Sequence, residues 1–371
     1  MIFWLKPSRH SVVGALSIVG IFVCTACPAF SADKLPSADG RNIEKVEIAP
    51  GIYQFMTLRD SYVRQLNSVA IVNENDVLVF DTNTRPSSAQ LILDEIRRLT
   101  SKPVRYVVNS HWHPDHWSGN EVYLKAFPDL QIIASEQMLG YMLNTANAWP
   151  RRFQNNLKQL RNRLEKEVAT GKKDDGSPLT AEGRMEDEED VKNYASLTDE
   201  QVRLKHIFPN LTYTGKLAFV HGGREFRFMS VTGDADGTTV LYLPREKVLI
   251  TGDVISYPIP YFTPPPGRHA ASLRELAQLD TGVIVPGHGP AFRNKDFLHL
   301  ELQLLETVIA GVRGELRKGA LALADIQAVV TAESLREKFT HNDPDLDARF
   351  RERVKFLVKI AIREEVDNKD Y

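Results

Sequence analysis

The chain has 371 residues, of which 43% are hydrophobic and 25% charged, a composition that allows one large globular domain or two small ones with a sizeable core. The formal net charge of −2 implies no strongly basic surface and so excludes a nucleic-acid footprint. Two cysteines, Cys24 and Cys27, are too few and too early in the chain for a disulfide framework.

In chain order, Lys6 and Arg9 precede the apolar run SVVGALSIVGIFVCTAC, and Ala29 and Ser31 follow at the small-residue spacing of a leader peptidase site. The run is short for a membrane span. Residues 1–31 are therefore expected to be a signal peptide, cleaved after Ser31 or nearby. The mature protein would be periplasmic, with no stable membrane insertion. Both cysteines leave with the leader, so any metal must be held by imidazole and carboxylate.

GIYQFMTL and SVAIVNENDVLVFDT read as strands, the second a hairpin turning near Asn75 and Asp76. RPSSAQLILDEIRRLT reads as a helix capped by Thr84, with Pro86 in its first turn. VRYVVNS is a short apolar strand running directly into His111. From about 138 to 208 the texture changes. Phe153, Leu157, Leu160, Leu164 and Val168 recur at helical spacing among many charges, which predicts a helical insertion. Its acidic run EGRMEDEED reads as solvated surface. Strands resume with LTYTGKLAFVHGGREFRFMSVTGD, TTVLYLP and KVLITGD, and VIVPGHG follows a helix-like AASLRELAQLD. Residues 296–371 form a helical C-terminal extension in which Phe350, Val354, Leu357 and Ala361 make an apolar stripe. Alternating strands and helices predict a layered α/β or mixed fold.

The stretch HWHPDH carries the chemistry. In an extended segment residues two apart point the same way, so His111 and His113 reach one point together. Pro114 keeps His113 extended. Asp115 and His116 then offer a carboxylate and an imidazole to a second point close by. Four ligand-type residues at this spacing after an apolar strand make a metal site. VLITGD and VIVPGHG repeat the layout, ending in Asp253 and His288.

HWHPDH, VLITGD and VIVPGHG, in that order, resemble the motifs of the metallo-β-lactamase superfamily. The resemblance covers residues 43–295 outside the insertion and includes the early hairpin ending in Asp81. It implies a four-layer αββα sandwich with metals at one edge between the sheets. Carried over residue by residue, it makes His111 and His113 ligands of a first metal. Asp115, His116 and His288 become ligands of a second, and Asp253 bridges both. The zinc β-lactamases usually carry cysteine or serine where this chain has Asp253, which argues against a dedicated antibiotic-destroying enzyme.

One departure stands out. The family's third histidine of the first site is replaced here by Asp234, within GDADGTTVLYLP. A carboxylate can ligate zinc at a similar distance, so Asp234 joins the expected ligands. Asp236 and His221 lie nearby, His221 at a strand end. The loop from Ser256 to His269 holds three consecutive prolines. Tyr257, Tyr261 and Phe262 could wall a pocket there, and Arg268 or His269 could meet an anionic group; a rigid surface loop is the competing reading.

The resemblance implies a zinc cofactor, two ions, with iron or manganese as alternatives. It implies a hydrolase acting on an ester, thioester, lactone or lactam bond through a metal-bound hydroxide that Asp115 orients. The substrate would be a small molecule. Two other readings stand beside it. One is a mononuclear iron oxygenase using His111, Asp234 and Asp253; the other is a non-catalytic metal-binding module.

Overall fold

A computed structural model describes residues 33–35, 43–59, 64–145, 149–174, 176–263, 265–319 and 322–367. The expected signal peptide over residues 1–31 lies outside the described residues.

Strands β1 (Asp33–Leu35), β2 (Ile43–Ala49), β3 (Ile52–Arg59), β4 (Arg64–Val72), β5 (Val77–Phe80), β6 (Val104–Val108), β7 (Gln131–Ser135) and β8 (Leu211–Tyr213) form one sheet in chain order. Pairing is antiparallel up to β5 and parallel from β5 to β8. Strands β9 (Lys216–His221), β10 (Arg224–Thr232), β11 (Asp236–Leu243), β12 (Val248–Ile250) and β13 (Val283–Val285) form the second sheet, ordered β13-β12-β11-β10-β9. Only its β12–β13 pair is parallel. The hairpin between β4 and β5 turns at residues 73–76, where the Asn73 N–H donates to the Asp76 carbonyl.

Side-chain alternation along β5 shows how the layers arise. Val77 and Val79 point to one face, Leu78 and Phe80 to the other, and all four are buried. The first pair packs with Ala89, Ile92, Leu93 and Ile96 of helix α1 (Pro86–Leu99) and with Tyr123 of helix α2 (Asn120–Ala126). The second pair meets Phe226, Phe228, Leu241, Ile250 and Val285 of the other sheet. The far face of that sheet, with Val240, Tyr242, Leu249 and Ile284, is covered by helices α6 (Pro266–Ala277), α7 (Asp296–Arg317) and α10 (Pro344–Asp367). The result is the expected αββα sandwich. Helices α8 (Leu323–Val329) and α9 (Glu333–Thr340) complete the helical C-terminal region. The stripe Phe350, Val354, Leu357 and Ala361 is fully buried in this layer. Burial of Phe350, Val354 and Leu357 contributes roughly 1.5–3 kcal/mol each.

Three helices, α3 (Glu136–Thr145), α4 (Trp149–Thr170) and α5 (Ala181–Arg203), interrupt the sandwich between β7 and β8. Phe153, Leu157 and Leu164 of α4 meet Tyr194 and Leu197 of α5 in a small core of their own. Most of the acidic run is exposed, while Asp190 is buried.

The start of α1 differs from expectation. Its cap is Arg85, extended and without a side-chain cap, rather than Thr84. Pro86 opens the helix because its fixed φ suits the first turn and its missing N–H costs nothing there. Arg85 is fully buried and turned to another task. Its guanidinium donates to Glu200 Oε1 at 3.0 Å and to the Asn193 carbonyl and Oδ1 at 2.7 Å, all on α5. Gln201 donates to the Thr84 carbonyl, which leaves Thr84 part of the same joint. Among the described residues, no helix is long and apolar enough to cross a membrane.

Candidate metal centre

The site lies where five strands end. Asp81 follows β5, His111 follows β6, Asp234 follows β10, Asp253 follows β12 and His288 follows β13. These strands run in matching directions within their sheets, so their carboxyl ends share one edge of the sandwich.

HWHPDH is extended only as far as His113, at φ −67° and ψ 135°. Pro114–His116 then make a single 3-10 turn, which corrects the wholly extended reading. Pro114 accounts for both halves: it holds the residue before it extended and opens a helical turn itself. The six residues therefore face two points. Ligand atoms of His111, His113, Asp234 and Asp253 lie within 4.8 Å of one another, as do those of Asp115, His116 and His288.

Asp253 faces both groups. Its Oδ2 lies 3.9 Å from His111 Nε2 and 3.5 Å from both His116 Nε2 and His288 Nε2. Asp115 Oδ2 lies 3.5 Å from His116 Nε2 and 3.4 Å from His288 Nε2. Asp234 Oδ2 approaches His113 Nδ1 to 3.2 Å, and that nitrogen is 2.8 Å from His111 Nε2. The structure thus brings all seven expected ligands together.

Outer residues aim the inner ones. Asp81 has a left-handed backbone, φ 58°, which turns its carboxylate back into the site. It accepts from the Ser110 N–H at 2.7 Å, the Ser110 hydroxyl at 2.8 Å and His116 Nδ1 at 2.7 Å. The last bond orients the His116 ring so that Nε2 faces the site, where the neutral imidazole would offer its lone pair. Because Ser110 gives its only hydroxyl proton to Asp81, its oxygen accepts from His111 Nδ1 at 3.0 Å. His111 Nε2 is thereby left as an acceptor as well. On the opposite wall, the Asn67 side chain donates to the Pro286 and Gly289 carbonyls at 2.8 and 2.7 Å. Gln54 donates to Asn67 Oδ1 and to the same Gly289 carbonyl. These bonds fix the loop that presents His288. Gly287 is required there, since a Cβ would fall 1.8 Å from Asp253 Oδ1. The Asp234 N–H donates to the Asp253 carbonyl at 3.0 Å, and the Thr263 hydroxyl donates to Asp234 Oδ1 at 2.9 Å.

Burial alone would raise the Asp253 carboxyl, but the charges of His288 and His116 hold it well below the usual carboxylate range. Asp115 is lowered in the same way by His116 and His288 against its own burial. Burial opposes a charge on His288, yet Asp253 and Asp115 carry its pKa up to about 10. His111 is pushed well down by burial and by the neighbouring His116 and His113. This donor set fits divalent cations. His116 Nε2 and Asp253 Oδ1 are buried and make no hydrogen bond among the described residues, and the set consists of nitrogen and oxygen alone.

Other expected participants lie elsewhere. Asp236 accepts from Thr232 and pairs with Arg268 at 3.1 Å. His221 pairs with Asp76 at the end of β9. Trp117 is buried and donates to the Trp112 carbonyl, while Trp112 sits edge-on to His113. Arg268 is exposed and pairs with Asp236 among the described residues. His269 does not line a pocket: it is fully buried and donates to the Val254 carbonyl at 2.9 Å, with buried Glu301 at 3.6 Å. Sequence reasoning missed Gln54, Asn67, Ser110, Thr263 and Glu301. Only Glu301 carried a local signal, a charge at helical spacing between Leu298 and Leu305 on the buried face of α7.

Comparisons with known proteins agree with the fold. A linear primary-alkylsulfatase from Pseudomonas sp. is 24% identical over 255 residues, covering 64% of this chain and 44% of that protein. The chain thus spans less than half the length of that relative. Among solved structures, a metallo-beta-lactamase from Pontibacter korlensis matches with a TM-score of 0.50 at 16% identity, over 71% of this chain and 99% of that one. The stereoselective inverting sec-alkylsulfatase Pisa1 from Pseudomonas sp. matches with a TM-score of 0.55 at 18% identity, over 86% of this chain and 50% of that one. The model of the metallo-beta-lactamase superfamily matches residues 61–288, more than half of the chain and all seven clustered residues, and the protein belongs to that superfamily.

Proposed function

We propose that the protein is a periplasmic dizinc hydrolase that cleaves an ester bond, with a sulfate monoester as its substrate. The observation that carries the reading is Asp253, whose carboxylate faces both ligand groups at once. The sulfate ester is suggested by the alkylsulfatase relative. His111, His113 and Asp234 would hold one ion, Asp115, His116 and His288 the other, and Asp253 both. When bound, such ions would supply Lewis acidity and would bring the pKa of a water at the site toward neutrality.

The chain's own groups do the rest. Asp115 stands between His116 and His288 at the partly open face of the site, where its carboxylate accepts a hydrogen bond from the attacking water and orients it. Asp81 and Ser110 hold His116 and His111 in their ligating tautomers throughout. Hydrolysis adds the water's hydrogen to the departing alcohol and its hydroxyl to the sulfate, so neither an oxidant nor a covalent enzyme nucleophile is needed.

The test is zinc-loaded protein assayed on p-nitrophenyl sulfate and a primary alkyl sulfate, with metal stoichiometry measured in parallel. Two zincs per chain and turnover abolished by chelation are expected. One iron per chain, or no sulfate-ester turnover at full zinc loading, overturns the reading. N-terminal sequencing of the native protein tests the location, and an intact leader in the membrane fraction would refute it.

A further inference from the structure

Helix α10 lies outside the segment that matches the family, yet it reaches the metal edge. The Arg353 guanidinium lies over the Tyr261 ring, 4.4 Å from its centroid. That ring in turn lies 6.1 Å from the His288 ring. Arg349, one turn earlier, shares the Arg353 face of the helix. Phe350 and Val354, both buried, fix the backbone between them.

Three arginines around α10 are neutralised. Arg336 binds Asp347, Arg351 binds Glu333 and Arg313 binds Glu365. Among the described residues, Arg349 and Arg353 make no such pair; the aromatic contact with Tyr261 is what Arg353 has. Two unneutralised cations four residues apart repel each other. They gain from an anion placed between them and the site, and a guanidinium fork matches the oxygens of sulfate.

We infer that Arg353, Arg349 and Tyr261 form an anion-recognition wall at the metal site, supplied by the C-terminal helix, which receives the charged sulfate group of the ester. The identity of the anion rests on the sulfate-ester reading above; the wall itself rests on the α10 geometry. Tyr261 serves as a neutral donor in this wall. Burial raises its phenol pKa and outweighs the opposing charges of Arg353 and Arg349, so the hydroxyl keeps its proton.

The experiment measures calorimetric binding of inorganic sulfate to the zinc-loaded full chain and the KM for p-nitrophenyl sulfate. The proteins are wild type, Arg349→Gln, Arg349→Gln/Arg353→Gln and, as a charge control on the exposed side of α10, Lys359→Gln. The double variant is expected to bind sulfate about tenfold more weakly and to raise KM by a similar factor. Arg349→Gln alone leaves the Tyr261 stack in place and should show a smaller shift in the same direction. Unchanged sulfate affinity in the double variant overturns the inference, as does an equal loss in Lys359→Gln, and wild type that binds no sulfate does so too. Arginine-dependent sulfate binding without ester turnover would support the wall and sink the hydrolase reading instead.

Discussion

The two ligand groups are built differently. In the group of Asp115, His116 and His288, both histidines are buried, one gripped by Asp81 and the other presented by a loop that Asn67 and Gln54 hold. In the group of His111, His113, Asp234 and Asp253, His113 remains 21% exposed in its side chain, while Asp234 and the other group's Asp115 are alike at 14%. Asp234 there shares its carboxylate with Thr263. A preorganised set loses little freedom on binding, whereas a partly solvated set must order itself. The first group is therefore expected to be the weaker site, and the carboxylate of Asp234 would make an ion bound there a poorer Lewis acid than an imidazole would.

The largest test removes what the groups share. Asp253→Ala should lose one metal and nearly all hydrolysis, measured by metal analysis and kcat/KM. A loss of only about 10–100-fold, the usual effect of an outer partner, would mean that Asp253 binds neither ion. Next, Asp81→Ala frees the His116 ring and should weaken zinc at the second group by about 10–100-fold. Competition with a chelator reads this, and an equal weakening at both groups would erase the contrast between them. Third, under limiting zinc Asp234→Ala should lose first-group metal while Asp234→His tightens it. Full metal and activity in Asp234→Ala would show that Asp234 does not ligate.

Protons give a further handle. His288 titrates near 10 in the metal-free protein, above its ordinary 6.5. The stabilisation it draws from Asp253 and Asp115 is complete below 6.5 and lost as pH rises through 10. Metal-free protein should thus melt at lower temperature as pH climbs through that window. Zinc should bind more tightly across the same window, releasing protons; pH-independent affinity would contradict the charge state. The smallest effect belongs to Glu301, which burial, then the Asp253 and Asp234 charges, raise well above an ordinary glutamate. Its contribution falls as pH rises above the unfolded value. Glu301→Gln should flatten that loss and raise the melting temperature slightly above neutrality, and a lower melting temperature would show that the carboxylate is ionised and needed.

The inner ligands were legible because each sits next to its strand. HWHPDH announces itself by spacing, and Asp253 and His288 by glycines at strand ends. Asp234 was legible only as a departure from a pattern. The residues that aim the ligands were not legible. Asn67 lies more than two hundred residues before the loop it holds, and Thr263 acts through a contact that no periodicity encodes. The sandwich followed from alternation such as Val77 to Phe80, while the cap of α1 was misread. Arg85 carried no signal in the sequence, because its partners on α5 are over a hundred residues away.

That buried arginine has a consequence for how the molecule comes apart. If the α4–α5 pair lifted away, Arg85 would lose its bonds to Asn193 and Glu200 and would have to replace them with water, so the insertion is tied to the start of α1. The extra helices are thus no detachable ornament. Heat should melt them together with the sandwich in one calorimetric step, and a protease should find no early cut that spares the strands.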